Sequence, residues 1–239
     1  MMGLAFLVSK IEISAGFCKK KAIFERNPEN PRRQMKTGFS IRDARPEDAP
    51  FLARCIMAGM HFYDLETDIP AAADLYERLV VCERREDLLY SYRYTRVAES
   101  EGVPAGSLLS YPGAIYRELR HRTFRELWPE LARMDAESDM ETDPGEYYLD
   151  SLAVHPSFRR RGIGRALLQD GIREGERQGF RKIALVADSG MPHLIRLYAS
   201  LGFKLADRRH VFGVDFQRMV YEGAALISPD SPFPGTPAV

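Results

Sequence analysis

The sequence predicts a single α/β domain, and three observations lead to that prediction. Strand-like and helix-like patterns alternate along the chain from Phe39 to Glu222. A chain of 239 residues can bury one sizeable core, and its composition, 45% hydrophobic and 28% charged, is that of a globular protein. No run approaches the roughly 18 apolar residues that cross a bilayer. A polytopic membrane protein is therefore excluded.

The charges and cysteines limit the classes of partner. Lysines and arginines number 34, as do aspartates and glutamates, so no overall field attracts nucleic acid and an anion site must be local. Cys18, Cys55 and Cys82 lack metal-ligand spacing, and their odd number fits a reducing compartment without disulfides. We expect a cytoplasmic protein with no metal, nucleic acid or membrane partner. A homodimer is compatible with the sequence, which does not show one.

The chain divides into three segments. Residues 1–36 are interpreted as an N-terminal extension, either a stretch upstream of a natural start at Met35 or a disordered segment. Residues 37–223 form the predicted domain. Residues 224–239 are rich in proline and lack periodicity, which predicts a disordered tail.

The residue pattern in the first half of the domain predicts three strands and two helices. A first strand at 40–42 is followed by Pro46 and two carboxylates, which favour a first helical turn. A second helix is predicted from 72 to about 90, after an interruption at Pro70. Two further strands are expected at 96–99 and 105–111, on either side of a turn.

Residues 113–145 are predicted to be an insert. Leu127, Leu131 and Met134 share one helical face, beside the only tryptophan, Trp128. The end of the insert is acidic, with carboxylates at Asp135, Glu137, Asp139, Glu141 and Asp143. Two interpretations stay open: a solvated linker, or a mobile lid whose negative charge attracts a cationic substrate.

The second half of the domain has the clearest pattern. Strands are predicted at 146–154, 182–187, 204–206 and 216–222. Helices are predicted at 164–178 and 192–201, the second closed by Gly202 in the position of a left-handed cap.

The turn before the helix at 164 has the features of an anion site. It contains Arg159, Arg160, Arg161, Gly162, Ile163, Gly164 and Arg165. Glycines leave no side chain between backbone N–H groups and a ligand, and a helix start adds unpaired donors, which suits a pyrophosphate. The turn lacks the Gly-Lys-Ser/Thr of a P-loop and the third glycine of a dinucleotide fingerprint. On this segment alone, an ordinary turn with solvated arginines stays an alternative.

These residues resemble the GNAT acyltransferase superfamily. The matching motif is Arg159-x-x-Gly162-x-Gly164 after the strand residues Leu152-x-Val154, and a second match is the helix end at 197–203. The resemblance covers residues 38–222, although the insert is longer than the family's usual connection. It implies a twisted, mixed, mostly antiparallel sheet of about seven strands, with helices on both faces and a splay between the fourth and fifth strands, often helped by a bulge in the fourth.

The resemblance also implies how acetyl-CoA is bound as co-substrate. Leu152, Ala153 and Val154 would pair with its pantetheine arm as an added strand would. Backbone N–H groups from Arg160 to Arg165 would hold its pyrophosphate. Relatives commonly carry an asparagine seven residues before the helix tyrosine. That position is Met191 here, so the contact is missing or is supplied by Ser189.

Acyl transfer to an amine needs a base for the amine, a donor for the oxyanion and an acid for the departing thiolate. Tyr198 is the expected acid, because the helix pattern turns its ring inward and the resemblance places a tyrosine beside the CoA sulfur; the alternative is a core tyrosine. Asp150 is the expected base, where relatives often carry a glutamate, or else it orients the substrate ammonium. Glu146 is the second choice, and a free N–H near Leu152 is the expected oxyanion donor.

We therefore expect an N-acetyltransferase that moves an acetyl group from acetyl-CoA directly to the primary amine of a small molecule in a ternary complex. Acidic residues near Tyr147, Tyr148 and Trp128 favour a small aromatic or polybasic amine. Two alternatives stay open: acetylation of protein N-termini or lysines, and a non-catalytic acyl-CoA-binding module.

Overall fold

The computed structural model describes residues 38–59, 73–129 and 132–223. The predicted extension, the interruption at Pro70, the predicted tail beyond residue 223, Leu131 and the side chain of Met134 lie outside the described residues. No helix within the three ranges has both the length and the apolar character needed to cross a membrane.

The described residues form seven strands and six α-helices. The strands are β1 (Phe39–Asp43), β2 (Thr95–Ser100), β3 (Val103–Pro112), β4 (Glu146–Val154), β5 (Lys182–Asp188), β6 (Lys204–Val211) and β7 (Val214–Glu222). The helices are α1 (Ala49–Gly59), α2 (Ala73–Glu83), α3 (Gly113–Leu127), α4 (Ala132–Glu137), α5 (Ile163–Arg177) and α6 (Pro192–Ala199).

The strands form one mixed sheet in the order β1-β2-β3-β4-β5-β7-β6. All neighbours are antiparallel except β4 and β5, which are parallel. These two strands pair at three positions, the last joining Tyr148 to Ala184, although β4 continues to Val154 and β5 to Asp188. The predicted seven-stranded sheet and its splay between the fourth and fifth strands are thus confirmed.

A bulge in β4 lies where the splay begins. Between paired positions, β3 has one residue, Leu109, where β4 has two, Asp150 and Ser151. An extra residue bends a strand and shifts the alternation of its side chains. As a result, Leu152 packs in the same core layer as Leu149.

Helices cover both faces of the sheet, as predicted. On one face, α1, α2 and α3 pack with Leu109, Tyr111 and Tyr148. On the other face, α5 and α6 pack with Leu108 and Leu149. Adjacent residues of β3 and of β4 thus belong to opposite layers, as the two-residue period of a strand requires.

Glycines let α5 lie close to the sheet. A Cβ atom on Gly171 would lie 2.7 Å from Leu108 Cδ2, and one on Gly175 would lie 2.4 Å from Ile183 Cδ1 and 2.9 Å from the Tyr147 ring. Each glycine costs about 1 kcal/mol in helix propensity. The close packing offsets that cost and fixes the start of α5 beside the end of β4.

Two predicted elements have the wrong length. Helix α2 ends at Glu83 rather than near residue 90, because the following loop is held by tertiary contacts, including a bond from the Leu89 N–H to Thr123 Oγ1 of α3 (2.8 Å). Strand β6 continues to Val211 instead of ending at 206. It is an edge strand with most residues exposed, so it lacks the alternation that marks a strand in sequence.

The insert contributes to the core. Tyr116, Leu119, Phe124 and Trp128 are buried in the cluster beneath α1 and α2. The two ends of the insert meet at Gly113, where a Cβ atom would lie 2.2 Å from the Asp143 carbonyl oxygen.

The acidic end of the insert is anchored at several points. The Asp139 N–H donates to the His210 carbonyl of β6 (2.9 Å), and the His210 N–H donates to Asp139 Oδ2 (2.7 Å). Asp143 pairs with Arg218 (2.9 Å). These contacts attach the acidic end of the insert to β6 and β7.

Candidate active site

The predicted anion turn connects β4 to α5 through two left-handed residues. After Val154, the His155 N–H donates to the Ala105 carbonyl (2.9 Å), and a short 3₁₀ turn follows. Arg160 has a φ of 63° and Gly162 a φ of 84°. This backbone favours glycine, and it aims the start of α5 at the end of β4.

The N–H groups of this turn are free. Within the described residues, no backbone N–H from Arg160 to Arg165 donates to another group, whereas the flanking Arg159 and Ala166 N–H groups donate to the Pro156 carbonyl (3.1 Å) and the Gly162 carbonyl (3.0 Å). The donors lie at the N-terminus of a 15-residue helix, where the macrodipole adds positive potential. A concave group of such donors binds anions.

The arginine side chains mostly shape the turn itself. Arg159 and Arg161 donate to nearby carbonyl oxygens at 3.1 Å each. Arg165 donates to Ser200 Oγ (2.8 Å) and so ties α5 to the end of α6. Arg160 is exposed and makes no hydrogen bond or ion pair with another described residue, so its guanidinium is free to approach a ligand.

The open edge of β4 lies next to this turn. Beyond Tyr148, residues Leu152, Ala153 and Val154 pair with β3 but not with β5, and the Val154 carbonyl accepts from the Arg159 guanidinium. A Cβ atom on Gly164 would lie 3.5 Å from Val154 Cγ2, so the start of α5 contacts the end of this edge. A free strand edge that leads to free N–H donors fits an extended molecule ending in a diphosphate.

Tyr198 lies on α6 in the core layer that contains Leu149 of β4 and Leu185 of β5, the first residues of each strand beyond the last pair. Its residue exposure is 8%. The hydroxyl has no hydrogen-bond partner among the described residues, and its oxygen is not sealed from solvent. Burial raises the pKa of Tyr198 to about 12, so the phenol keeps its proton at neutral pH.

Asp150 is half-buried in the bulge of β4. Its carboxylate accepts hydrogen bonds from the Tyr111 hydroxyl and from Ser151 Oγ (3.0 Å). Burial and, after it, the negative charge of Glu141 raise the pKa of Asp150 to about 7, against the lowering effect of these two bonds. A carboxylate with a pKa near the working pH is suited to take up and release a proton.

Glu146 is engaged elsewhere. Its carboxylate is 2% exposed, pairs with Arg218 of β7, and accepts bonds from Thr142 Oγ1 (3.0 Å) and the Asp143 N–H (2.9 Å). These contacts join the end of the insert to β4 and β7. The geometry therefore favours Asp150 over Glu146 as a proton acceptor.

Three tyrosines form a cluster on the Asp150 side of the sheet. The ring centroids of Tyr111, Tyr116 and Tyr148 are 5.9 Å apart in each pair. Glu141 accepts hydrogen bonds from Tyr116 (2.7 Å) and Tyr148 (2.6 Å). Neither Tyr111 nor Glu141 is among the sequence-predicted site residues. The place of Tyr111 in the site depends on its pairing with Tyr148, and that strand register is not visible in the sequence.

The other aromatic residues expected at the acceptor side lie elsewhere. Tyr147 faces the opposite layer, with its hydroxyl 3.1 Å from Ser110 Oγ. Trp128 is buried edge-to-face against Tyr90. Of the three predicted aromatic residues, Tyr148 alone lies in the tyrosine cluster.

Met191 and Ser189 lie just before α6, and Cys55 and Cys82 lie on α1 and α2. Met191 precedes α6 and donates its N–H to the Asp188 carbonyl (3.0 Å), and Ser189 is exposed beside it. The thiols of Cys55 and Cys82 are free and buried. In the part of the chain that the structure describes, no three His, Cys, Asp or Glu side chains are grouped to hold a metal ion.

Sequence comparison finds a matching family and relatives. Residues 60–203, more than half of the chain, match the acetyltransferase (GNAT) family model. A segment of 64 residues is 41% identical to the ribosomal protein bS18 alanine N-acetyltransferase of Escherichia coli strain K12. It makes up 27% of this chain and 43% of that enzyme, so the match spans less than half the length of the curated relative.

Solved structures share the fold. An N-acetyltransferase from Staphylococcus aureus Mu50 superposes with a TM-score of 0.64 at 20% identity, over 76% of this chain and 99% of that chain. The yncA protein from Salmonella typhimurium, solved with its cofactor acetyl-CoA, superposes with a TM-score of 0.51 at 22% identity, over 82% and 99%. At identities this low, the superpositions show a common fold, and this fold is the predicted one.

Proposed function

The chain belongs to the acetyltransferase (GNAT) family, and on this basis we propose that it transfers an acetyl group from acetyl-CoA directly to a primary amine. The observation that carries the proposal is the run of free N–H groups from Arg160 to Arg165 beside the open edge of β4. These donors would bind the diphosphate of acetyl-CoA. The pantetheine arm would extend along Leu152, Ala153 and Val154.

Asp150 and Tyr198 supply the proposed proton transfers. Asp150 accepts a proton from the ammonium of the acceptor, which frees the lone pair on nitrogen. The C–N bond forms as the C–S bond of the thioester breaks, and Tyr198 donates its proton to the departing sulfur. The nitrogen loses its second proton as the amide forms, and this proton returns through solvent to the Tyr198 phenolate. The raised pKa values of both groups support these roles, because Asp150 titrates near neutral pH and Tyr198 stays protonated there.

For the acceptor, we propose the primary amine of a small molecule. The insert supports this choice, because α3 and the anchored acidic end pack on the face of the sheet that carries Tyr148 and Asp150. Such packing narrows the approach to Asp150. The match to the bS18 alanine N-acetyltransferase favours a second candidate, a protein N-terminal amine.

Release of free thiol from acetyl-CoA tests the reaction and separates the acceptors. The panel contains small primary amines, a short peptide with N-terminal alanine, and an N-terminally blocked peptide with an internal lysine. Turnover with small amines alone is expected. Turnover with the alanine peptide alone would favour the second candidate. Thermal stabilisation by acetyl-CoA without turnover on any acceptor would indicate an acyl-CoA-binding module instead of an enzyme.

Asp150→Asn tests the proposed base. The variant removes the proton acceptor but keeps the shape of the side chain, so we expect turnover to fall by about 100-fold or more. Affinity for acetyl-CoA should be unchanged. Asp215→Asn, at an exposed position of β7 beside His210, is the matched control and should keep wild-type turnover. Equal turnover of Asp150→Asn and the control would contradict the role.

A further inference from the structure

The tyrosine cluster connects the insert to Asp150 by direct contacts. Tyr111 donates to Asp150, and its ring stacks on Tyr116 with an angle of 11° between the planes. The hydroxyls of Tyr116 and Tyr148 hold the two oxygens of Glu141 at 2.7 Å and 2.6 Å. Glu141 comes from the insert and Asp150 from the bulge of β4, so tertiary structure alone brings these carboxylates into one cluster.

Glu141 differs from two other carboxylates of its segment, Asp135 and Asp143. Asp135 pairs with Arg120, and Asp143 pairs with Arg218. Among the described residues, Glu141 forms no ion pair. The guanidinium nearest to its partners, that of Arg120, contacts the Tyr116 hydroxyl at 3.4 Å and is already paired. No contact neutralises the charge of Glu141, although the Arg120 cation attracts it. The charge acts among buried rings, where charges are weakly screened.

The other titratable groups facing Asp150 are neutral at pH 7. They are tyrosines from β3, β4, α3 and the loop before β2, whose pKa values are raised by burial: Tyr111, Tyr148, Tyr116 and Tyr90. Helix α1 reaches this part of β4 through Gly59, near Ser151, and carries Cys55, whose pKa is raised by burial to about 12. Of the charged groups in the described surroundings of Asp150, Glu141 and Arg120, only Glu141 shifts the pKa of Asp150.

We propose that Glu141 is a positioning residue for Asp150: held by two tyrosine hydroxyls, its charge raises the pH at which Asp150 releases its proton. The insert then contributes to the chemistry without touching the substrate. This inference rests on the proposed function only in treating Asp150 as a base. The hydrogen bonds that join Asp150 and Glu141 to the tyrosine cluster exist whether or not the protein turns over an amine.

The direct test is the titration of Asp150 in the full-length protein, followed by carbon-13 NMR of aspartate side-chain carboxyl groups. Asp150→Asn assigns the signal. In Glu141→Gln, which keeps the size of the side chain and can still bond to a tyrosine hydroxyl, the midpoint of Asp150 should fall by about one pH unit, because a like charge has been removed. An unchanged midpoint would overturn the proposal.

Two further variants control for general effects. Glu118→Gln removes one negative charge from the exposed face of α3, where Glu118 pairs with Arg122, and should leave the Asp150 midpoint in place. Glu141→Asp keeps the charge on a shorter side chain and should return the midpoint toward the wild-type value. Glu141→Ala, which removes the same charge, replaces Glu141→Gln if that variant does not fold. Equal shifts in Glu118→Gln and Glu141→Gln, or no recovery in Glu141→Asp, would count against Glu141.

Activity gives an independent measurement. With an amine that is turned over, the rise of kcat/KM with pH should begin at lower pH in Glu141→Gln, because the base loses its proton earlier. A purely structural role would lower kcat/KM at every pH without moving the midpoint. If no amine is turned over, the proposed function fails, while the NMR titration still decides whether Glu141 controls the Asp150 proton.

Discussion

Tyr198 combines a buried ring with a hydroxyl that solvent can reach and that no described residue binds. Buried phenols usually find a hydrogen-bond partner inside the protein. An unpartnered hydroxyl in the layer between β4 and β5 is thus available to a ligand. This is the arrangement that a proton donor to a departing thiolate requires.

Tyr198→Phe should lower kcat by about tenfold or more, since it removes the proton but keeps the ring. The dissociation constant for acetyl-CoA should stay the same, because the backbone donors of the turn are untouched. Steady-state kinetics and calorimetric titration measure the two quantities. Tyr92→Phe, on an exposed turn, is the matched control. An unchanged kcat in Tyr198→Phe would show that Tyr198 is a core residue without a role in proton transfer.

Glu83 shows a different consequence of burial. It lies at the end of α2, fully buried, and neither carboxylate oxygen has a hydrogen-bond partner among the described residues. Burial raises its pKa well above the ordinary value for glutamate. The folded protein therefore keeps a proton that the unfolded chain loses above about pH 4.3.

Glu83→Gln should change how stability depends on pH. Between the ordinary pKa of glutamate and the raised folded pKa, the folded state binds more protons than the unfolded state, so Glu83 makes the free energy of unfolding fall as pH rises. The variant lacks this contribution. Its stability relative to wild type should grow by up to about 1.4 kcal/mol per pH unit between pH 5 and 7, measured by chemical denaturation. A constant difference would contradict the buried, protonated state.

At the level of elements, the proposed anion site lies at the junction of β4 and α5 and depends mainly on backbone donors. Gly162 has a φ of 84°, and a Cβ atom there would meet nothing within 4 Å, so the backbone conformation rather than space calls for glycine. Gly164 has ordinary helical geometry, and a Cβ atom there would make a normal contact with Val154. The two glycines therefore differ: the backbone conformation at Gly162 favours glycine, whereas that at Gly164 accepts other residues.

Gly162→Ala and Gly164→Ala form a matched pair. At Gly162, alanine must adopt a left-handed conformation at a cost of about 1–2 kcal/mol, which should lower Tm and weaken acetyl-CoA binding as the turn relaxes. At Gly164, alanine fits its neighbours and should leave both nearly unchanged. Thermal unfolding with and without acetyl-CoA measures both effects. Equal losses in the two variants would show that the turn does not depend on the left-handed residue.

For the whole molecule, the sheet consists of two parts that are joined by a short parallel pairing. Strands β1 to β4 and strands β5 to β7 meet at three positions of β4 and β5. Close to this junction, Arg218 of β7 pairs with Glu146 of β4 and with Asp143 and Asp207. These pairs hold the closed end of the gap, so that the strands separate only beyond it.

Arg218→Leu should destabilise the protein by about 3–5 kcal/mol, because it leaves the buried Glu146 without its cation. Arg209→Leu is the control. Arg209 also pairs with Asp143 and Asp207, but it is more exposed than Arg218, so its loss should cost about 1 kcal/mol or less. Adding Glu146→Gln to Arg218→Leu should recover part of the loss. Chemical denaturation measures all four proteins, and equal costs for the two arginines would contradict a buried network.

The sequence by itself determined the family and the seven-stranded fold, and it predicts the anion turn. These properties depend on local signals: alternation in strands, apolar stripes in helices, and glycines and arginines between a strand and a helix. The edge strand β6 was predicted too short, because exposed strands carry no alternation. The end of α2 was missed, because contacts with α3 fix the loop that follows.

Tertiary structure alone decided which carboxylates stand near the open strand edge and in what state. Glu146 and Asp150 share a strand face in sequence, yet one is paired with Arg218 from β7 and the other is surrounded by tyrosines and Glu141. A proton affinity is set by burial and by charges that are distant along the chain. Strand register and the folding of the insert against β6 bring those charges together, and neither leaves a periodic signal in the sequence.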